Sequence, residues 1–293
     1  MAPHDLSSQA PLRDQPTGQP RDQAAVRNDD ILDVLTFNAA LLPEAVTSTQ
    51  PFARVAVMAP HLVGYDVLVL QEVFINSLRE RLIDELAEAY PYQTDLVGTD
   101  GAGGHPLRQD GGIIILSRWP IMRQASMTFG ETCSGTDCLA DKGVAYAAVR
   151  KGRFTYHVFG THAQSVYGIS PPDVRAAQFA LWRRFIGALE IPRSEPVLLT
   201  GDLNVDAYTS ELDAMLDALK AVRPMTYGPL RYTWDFRNNS IAEDPMNAWL
   251  DYVLIAADYA QPVASWNRVM PLRAGELDLS DHYAVWGRVV MGR

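Results

Sequence analysis

From Ile31 onward the chain alternates between two spacings of apolar residues, and polar residues gather where the apolar runs stop. Strand-length apolar runs fall at 31–37, 66–70, 112–116, 121–127, 143–150, 153–161, 196–200, 252–256, 262–269 and 283–290, some continuous enough to be buried on both faces. Lys151-Gly152 reads as a hairpin turn between two of them,. Helical spacing appears at 51–63, through Phe52, Val55, Ala56, Ala59 and Leu62. It recurs at 77–89, through Leu78, Leu82, Leu86 and Ala89, with Ser77 predicted as N-cap and Glu80 as its capping-box partner,. Two further helices are predicted at 171–189, with Pro172 in the first turn, and at 211–219,. No repeat or break in composition divides residues 31–290, so one domain over 31–293 is expected, behind a Pro-rich polar leader at 1–30,. Hairpin-linked strands mixed with helices predict two mostly antiparallel sheets packed together with helices outside them.

Composition narrows the function. The chain has 293 residues, 47% of them hydrophobic, enough for a large core,. Its 35 acidic and 25 basic side chains leave a net charge of −10, which argues against a nucleic-acid partner gripped through its phosphates,. An acidic protein that handles a phosphate needs a cation between the like charges. No apolar run reaches the roughly 18 residues of a membrane span. Cys133 and Cys138 lack the paired spacing of a zinc site, and a local bridge and two free thiols are both open,. Residues 1–30 show no apolar secretory core,.

The polar groups that close the strands share a chemistry. Asn38, Gln71-Glu72, Thr161-His162 and Gly201-Asp202-Leu203-Asn204 each follow a predicted strand, and Ser280-Asp281-His282 precedes the last one. Any one of these is ordinary turn chemistry, but five at the strand ends of one domain point to a site. Glu72, Asn38, Asp202 and Asn204 are hard oxygen donors suited to Mg²⁺ or Mn²⁺. His162 and His282 exchange protons near neutral pH. Together they describe metal-assisted hydrolysis of a phosphate ester. No Gly-x-Ser-x-Gly elbow and no P-loop occur,.

Leu70-Gln71-Glu72, Gly201-Asp202-Leu203-Asn204, Leu250-Asp251-Tyr252 and Ser280-Asp281-His282 resemble the motifs of the endonuclease/exonuclease/phosphatase superfamily. Within it the chain is similar to the neutral, magnesium-dependent bacterial sphingomyelinases. That similarity is carried by Asp110-Gly-Gly and Ser117-Arg118-Trp119-Pro120-Ile121, by Ala140-Asp141-Lys142-Gly143-Val144, and by Gly160-Thr161-His162-Ala163-Gln164. Thr233-Trp234-Asp235 and Asn239-Ser240-Ile241-Ala242 add to it.

The resemblance implies a DNase I-like α/β fold: a four-layer αββα sandwich of two mixed, mostly antiparallel sheets flanked by helices. It implies Mg²⁺, replaceable by Mn²⁺ or Co²⁺, held by Glu72 with Asn38 and Asp281. It makes His282 the general base, Asp251 the carboxylate that orients it, and Asp202 and Asn204 the residues that position nucleophile and phosphate. His162 would stabilise phosphoryl charge, and Asp137 and Lys142 would form a pair shaping the site, against the alternative that Lys142 is a solvated strand-edge lysine. The implied reaction cleaves sphingomyelin to ceramide and phosphocholine. The same chemistry on another phospholipid or lysophospholipid diester stands as the alternative, followed by an inositol phosphatase and a DNase-like nuclease.

One departure bears on the expected partner, a phospholipid at a membrane or micelle surface met by a monomer. Secreted relatives often carry an aromatic-tipped hairpin just before the Ser-Asp-His motif, whereas residues 270–279 here read Met-Pro-Leu-Arg-Ala-Gly-Glu-Leu-Asp-Leu. Membrane engagement must then be weaker or use another surface, such as the neighbourhood of Trp266 or Trp249, although such tryptophans are more often core or rim residues. The resemblance suggests secretion, but the leader carries no sign of it, so the compartment stays open.

Overall fold

The computed structural model describes residues 28–43, 49–104 and 107–292. Most of the expected leader, residues 1–27, lies outside them; Asn28–Asp30 form a single 3₁₀ turn that leads into the first strand. The longer strands are β1 (Ile31–Asn38), β2 (Val67–Gln71), β3 (Ile114–Ser117), β4 (Ile121–Thr128), β5 (Gly143–Lys151), β6 (Phe154–His162), β7 (Val197–Asp202), β8 (Asp251–Ala256), β9 (Ala264–Met270) and β10 (Ala284–Val290). The helices are α1 (Pro51–Leu62), α2 (Asn76–Leu86), α3 (Pro171–Ala188) and α4 (Glu211–Leu219).

One sheet orders β9-β10-β1-β2-β3, with two-residue strands at its edges, and the other orders β4-β5-β6-β7-β8, with Ala221–Val222 at its edge. β1 pairs with β2, and β6 with β7, in parallel; the other pairings between longer strands are antiparallel. The alternation of side chains sorts the core into layers. Leu32 and Val34 of β1 and Val67 and Val69 of β2 face the second sheet and join a core that includes Val144, Val158, Leu199 and Val253. That core extends to Phe179, Trp182 and Ile186 of α3 and to Met215 and Leu219 of α4. Leu35, Phe37, Leu68 and Leu70 face the other way, onto Val55, Met58 and Leu62 of α1 and Leu78, Leu82 and Leu86 of α2. The result is the expected αββα sandwich.

Local details differ from the sequence reading. α2 begins at Asn76 with Ile75 at the N-cap and no side-chain cap, so the Ser77–Glu80 capping box does not form. Asn76 turns to Asp100 instead, donating to Oδ2 at 3.1 Å. The buried stripe of α1 is rotated: Phe52 is 53% exposed, while Arg54 and Met58 are fully buried. Trp249 is also fully buried, its Nε1 donating to the Asp251 carbonyl at 2.7 Å, so it is not a surface for membranes. Cys133 and Cys138 form a disulfide. Residues 270–279 fold as a short hairpin through Arg273–Ala274 and Leu277–Asp278.

Candidate active site

Both sheets deliver the polar residues to the same edge of the sandwich. β1, β2, β6 and β7 end there, and β8 and β10 begin there. Parallel pairing of β1 and β2 sets Asn38 beside Gln71, so Glu72 is the next residue out. Parallel pairing of β6 and β7 sets His162 level with Asp202, and antiparallel pairing of β7 and β8 sets Asp251 opposite Asp202. Ser280 links the two sides: its hydroxyl donates to the Asn38 carbonyl at 2.6 Å and accepts from the His282 amide at 3.2 Å.

The backbone is bent to serve this edge. Glu72 and Asn204 both adopt left-handed conformations, at φ 56° and 53°, which cost non-glycine residues of order 1 kcal/mol or more. Gly201 has φ 131°, and a Cβ there would stand 2.0 Å from the Thr161 carbonyl oxygen, so only glycine permits the close approach of β7 to β6,.

Two clusters meet at Asp202. In the first, Asp251 Oδ2 accepts from His282 Nδ1 at 2.8 Å, which leaves Nε2 facing Asp202 Oδ2 at 3.7 Å. The Trp234 ring sits edge-on to the imidazole, with centroids 5.1 Å apart. Burial alone would lower the His282 pKa, but Asp251, then Asp202 and Asp281, outweigh it and hold the pKa well above the ordinary histidine value. In the second cluster, the Asn38 amide donates to Glu72 Oε1 and to Asp202 Oδ2, both at 3.1 Å. His162 Nε2 lies 3.7 Å from each of the same carboxylate oxygens. Lys142 Nζ completes the group, bonding Asp137 Oδ2 at 2.8 Å, His162 Nε2 at 3.2 Å and the Ala163 carbonyl at 3.3 Å. Lys142 is therefore a buried, fully partnered cation and not a solvated edge lysine. Burial, Lys142 and His282 together hold His162 neutral. Asn204 donates to the Ala163 carbonyl at 3.2 Å, and its amide N–H to Asp202 Oδ1 at 3.0 Å. Asp281, partly buried, accepts from Ser280 Oγ at 3.1 Å.

The donor set fits a hard divalent cation. Burial raises the pKa of Glu72, with Asp281 adding to it, and burial and Asp251 push Asp202 up to about 7. Carboxylates this close compete to shed charge, which is the condition a bound cation relieves. Among the described residues, Asp202, Asp251 and His282 also offer ligand atoms within 4.8 Å of one another. The His282–Asp251 hydrogen bond already commits one atom of each, so the Glu72 side is the better cradle.

One residue of the site escaped the sequence reading. Arg54, buried in α1, donates to the carbonyls of Thr49, Ala39, Ala40 and Leu279 and to Thr49 Oγ1. It pins the loop after Asn38 to the segment before Ser280. Its place on the helix reads as an ordinary exposed arginine, so nothing local signals this.

The sequence matches the Endonuclease/Exonuclease/phosphatase family over residues 35–282. It is 35% identical over 249 residues to sphingomyelinase C 2 of Leptospira interrogans, a match covering 76% of this chain and 40% of the relative's length. The fold superposes on the crystal structure of sphingomyelinase C from Streptomyces griseocarneus with a TM-score of 0.80 and 33% identity, covering 88% of this chain and 99% of that one. A variant of the beta toxin of Staphylococcus aureus, solved with bound magnesium ions, superposes with a TM-score of 0.80 and 27% identity, covering 89% and 99% of the two chains.

Proposed function

We infer the function from one premise: the chain belongs to the endonuclease/exonuclease/phosphatase family. The reaction this supports is hydrolysis of sphingomyelin to ceramide and phosphocholine, a phospholipase C-type cleavage of a phosphodiester. The observation that carries it is the pairing of an oriented histidine, His282 on Asp251, with the acidic cradle of Glu72 and Asp202. The similarity to sphingomyelinases over most of the chain narrows the substrate.

Glu72, with Asp281 and Asn38 beside it, would hold a divalent cation, Mg²⁺ foremost. Bound there, the cation neutralises charge on the phosphate and its leaving oxygen. As a ligand Asn38 would present Oδ1, which now accepts from the Ala40 amide at 3.1 Å.

The remaining chemistry belongs to side chains. Asp251 accepts the Nδ1 proton of His282; the surrounding carboxylates favour the charged ring, and where a cation offsets them the neutral ring would carry its lone pair on Nε2 and take a proton from the attacking water,. Asp202 and Asn204 position the water and the phosphate. Lys142, locked on Asp137, donates to Nε2 of the neutral His162 and supplies fixed positive charge beside the phosphoryl oxygens,.

The test is a Mg²⁺-dependent assay comparing sphingomyelin, phosphatidylcholine, lysophospholipids, glycerophosphocholine and plasmid DNA. Sphingomyelin is expected to turn over fastest. Cleavage of DNA with sphingomyelin untouched overturns the reading.

A further inference from the structure

The loop after His162 carries apolar side chains into solvent at the mouth of the site: Ile169 is 83% exposed, Tyr167 54% and Val166 43%. We propose that this loop, Ser165 to Ser170, is the edge that enters the surface of a zwitterionic phospholipid bilayer. The proposal rests on the lipid-hydrolase reading of the site and adds how that site reaches its substrate.

Position comes first. The Ser165 amide donates to Asp137 Oδ2 at 2.7 Å, the same oxygen that holds Lys142 behind His162. Within the loop the Tyr167 hydroxyl donates to Asp244. The Asp244 carbonyl accepts from Trp234 Nε1 at 3.1 Å, and the Trp234 ring lies against His282. The first half of the loop is therefore tied to the surroundings of both His162 and His282.

The way it is held is the second point. Gln164 bonds both Ser134 and Tyr167: its Oε1 accepts from the Ser134 amide at 2.8 Å, and its Nε2 donates to the Ser134 carbonyl at 3.1 Å and the Tyr167 carbonyl at 2.9 Å. The Ile169 amide donates to Ser134 Oγ at 2.6 Å. Ser134 itself sits inside the ring closed by the Cys133–Cys138 disulfide. The Tyr167 carbonyl and the Ile169 amide are thus partnered within the protein, which lowers the cost of taking this stretch out of water,.

Charge is the third point. Residues 164–170 read Gln-Ser-Val-Tyr-Gly-Ile-Ser, with no ionised side chain, in a protein of net charge −10. Anionic surfaces repel such a protein, so apolar insertion into a neutral interface is the mode left. The hairpin at 273–278 does not compete, since Arg273, Glu276 and Asp278 make it polar.

The experiment uses the full chain with Val166→Ser and Ile169→Ser together. Both side chains are exposed, and an unchanged melting curve checks the fold. Binding is read by co-sedimentation with sphingomyelin–phosphatidylcholine vesicles in Mg²⁺, in a His282→Ala background that prevents turnover. Turnover is read with His282 intact, on the same vesicles and on a short-chain sphingomyelin below its micelle threshold. Vesicle binding and vesicle turnover should both fall about tenfold or more, with the monomeric substrate cleaved within about twofold of wild type. In a parallel variant, Ile169→Trp, tryptophan emission should shift to the blue when vesicles are added. Unchanged vesicle binding overturns the proposal. So does an equal loss on the monomeric substrate, or a change of oligomeric state that tracks the substitution. Failure of the unsubstituted enzyme on both substrates would instead refute the sphingomyelin reading, while the binding comparison still judges the loop.

Discussion

Replacing Arg54 by methionine should cost this protein much of its stability, because one side chain holds four backbone carbonyls. The side chain is fully buried and holds four backbone carbonyls, those of Thr49, Ala39, Ala40 and Leu279. Burial lowers its pKa to about 10, against the opposing pull of Asp281 and Glu72, so it remains a cation at neutral pH. Methionine keeps the aliphatic packing and removes every donor. A buried acceptor left without a partner costs about 1–3 kcal/mol. At the low end of that range, which allows the loops to relax, four acceptors amount to about 4 kcal/mol. For a protein of this size that corresponds to a fall in Tm on the order of 10 °C. Arg54→Lys keeps the charge but cannot span four carbonyls from one nitrogen, and should fall between the two. Calorimetric melting of the three proteins is the assay, with Mg²⁺ affinity measured alongside, because the freed 39–40 loop carries Asn38. If Arg54→Met melts within about 2 °C of wild type, the four-carbonyl clamp is not what joins these segments.

His282→Ala should lower kcat by about 10²–10⁴-fold, the usual contribution of a general base, and near-full activity in steady-state assays would remove His282 from that role. Glu72→Gln should move the Mg²⁺ activation curve to much higher concentration, and an unchanged titration would count against Glu72 as a ligand. Away from the site, His157 accepts from Tyr146 at 2.7 Å and bonds Glu195 at 2.6 Å, and burial lowers its pKa despite Glu195. An unfolded chain therefore takes up that proton first, so stability should decline as pH falls below about 6.5. Urea unfolding at pH 7.5 and 5.5 should show a smaller decline in His157→Gln, and equal declines would refute the linkage.

The sequence made the strand ends legible because a buried strand and the polar group that closes it are both local signals. Asn38, Glu72, His162, Asp202 and His282 follow from that pattern, Asp251 entered only through the family resemblance, and the pairing registers bring Asn38, Glu72, His162, Asp202 and Asp251 together. What the pattern could not carry are roles fixed by partners far along the chain. Arg54 reads as one more helical arginine, yet one of its acceptors is 225 residues away. Trp249 reads as a candidate rim residue, but the Asp251 carbonyl satisfies its indole inside the core. The spacing of Cys133 and Cys138 allowed a bridge without requiring it; the folded loop brings their α-carbons to 5.3 Å. Ser77 satisfied the capping rule in sequence, but the helix starts one residue earlier, with the Asn76 side chain bonded to Asp100.

The net charge acquires its meaning at this edge. Two of the chain's three lysines are buried in ion pairs, Lys142 with Asp137 and Lys151 with Asp66, so neither offers a phosphate a free surface cation. The anionic cradle of Glu72, Asp202, Asp251 and Asp281 repels a phosphate until a cation offsets it, as the raised pKa values of Glu72 and Asp202 express in protons. On the proposed function, phosphate binding is therefore expected to be conditional on the metal. A polyanion, which needs many cationic contacts spread over a surface, gains little from a single ion in a cleft, whereas a lone phosphodiester presented at a lipid surface gains most of what it needs. On the proposed function, the acidic balance therefore favours a lone phosphodiester over a polyanion.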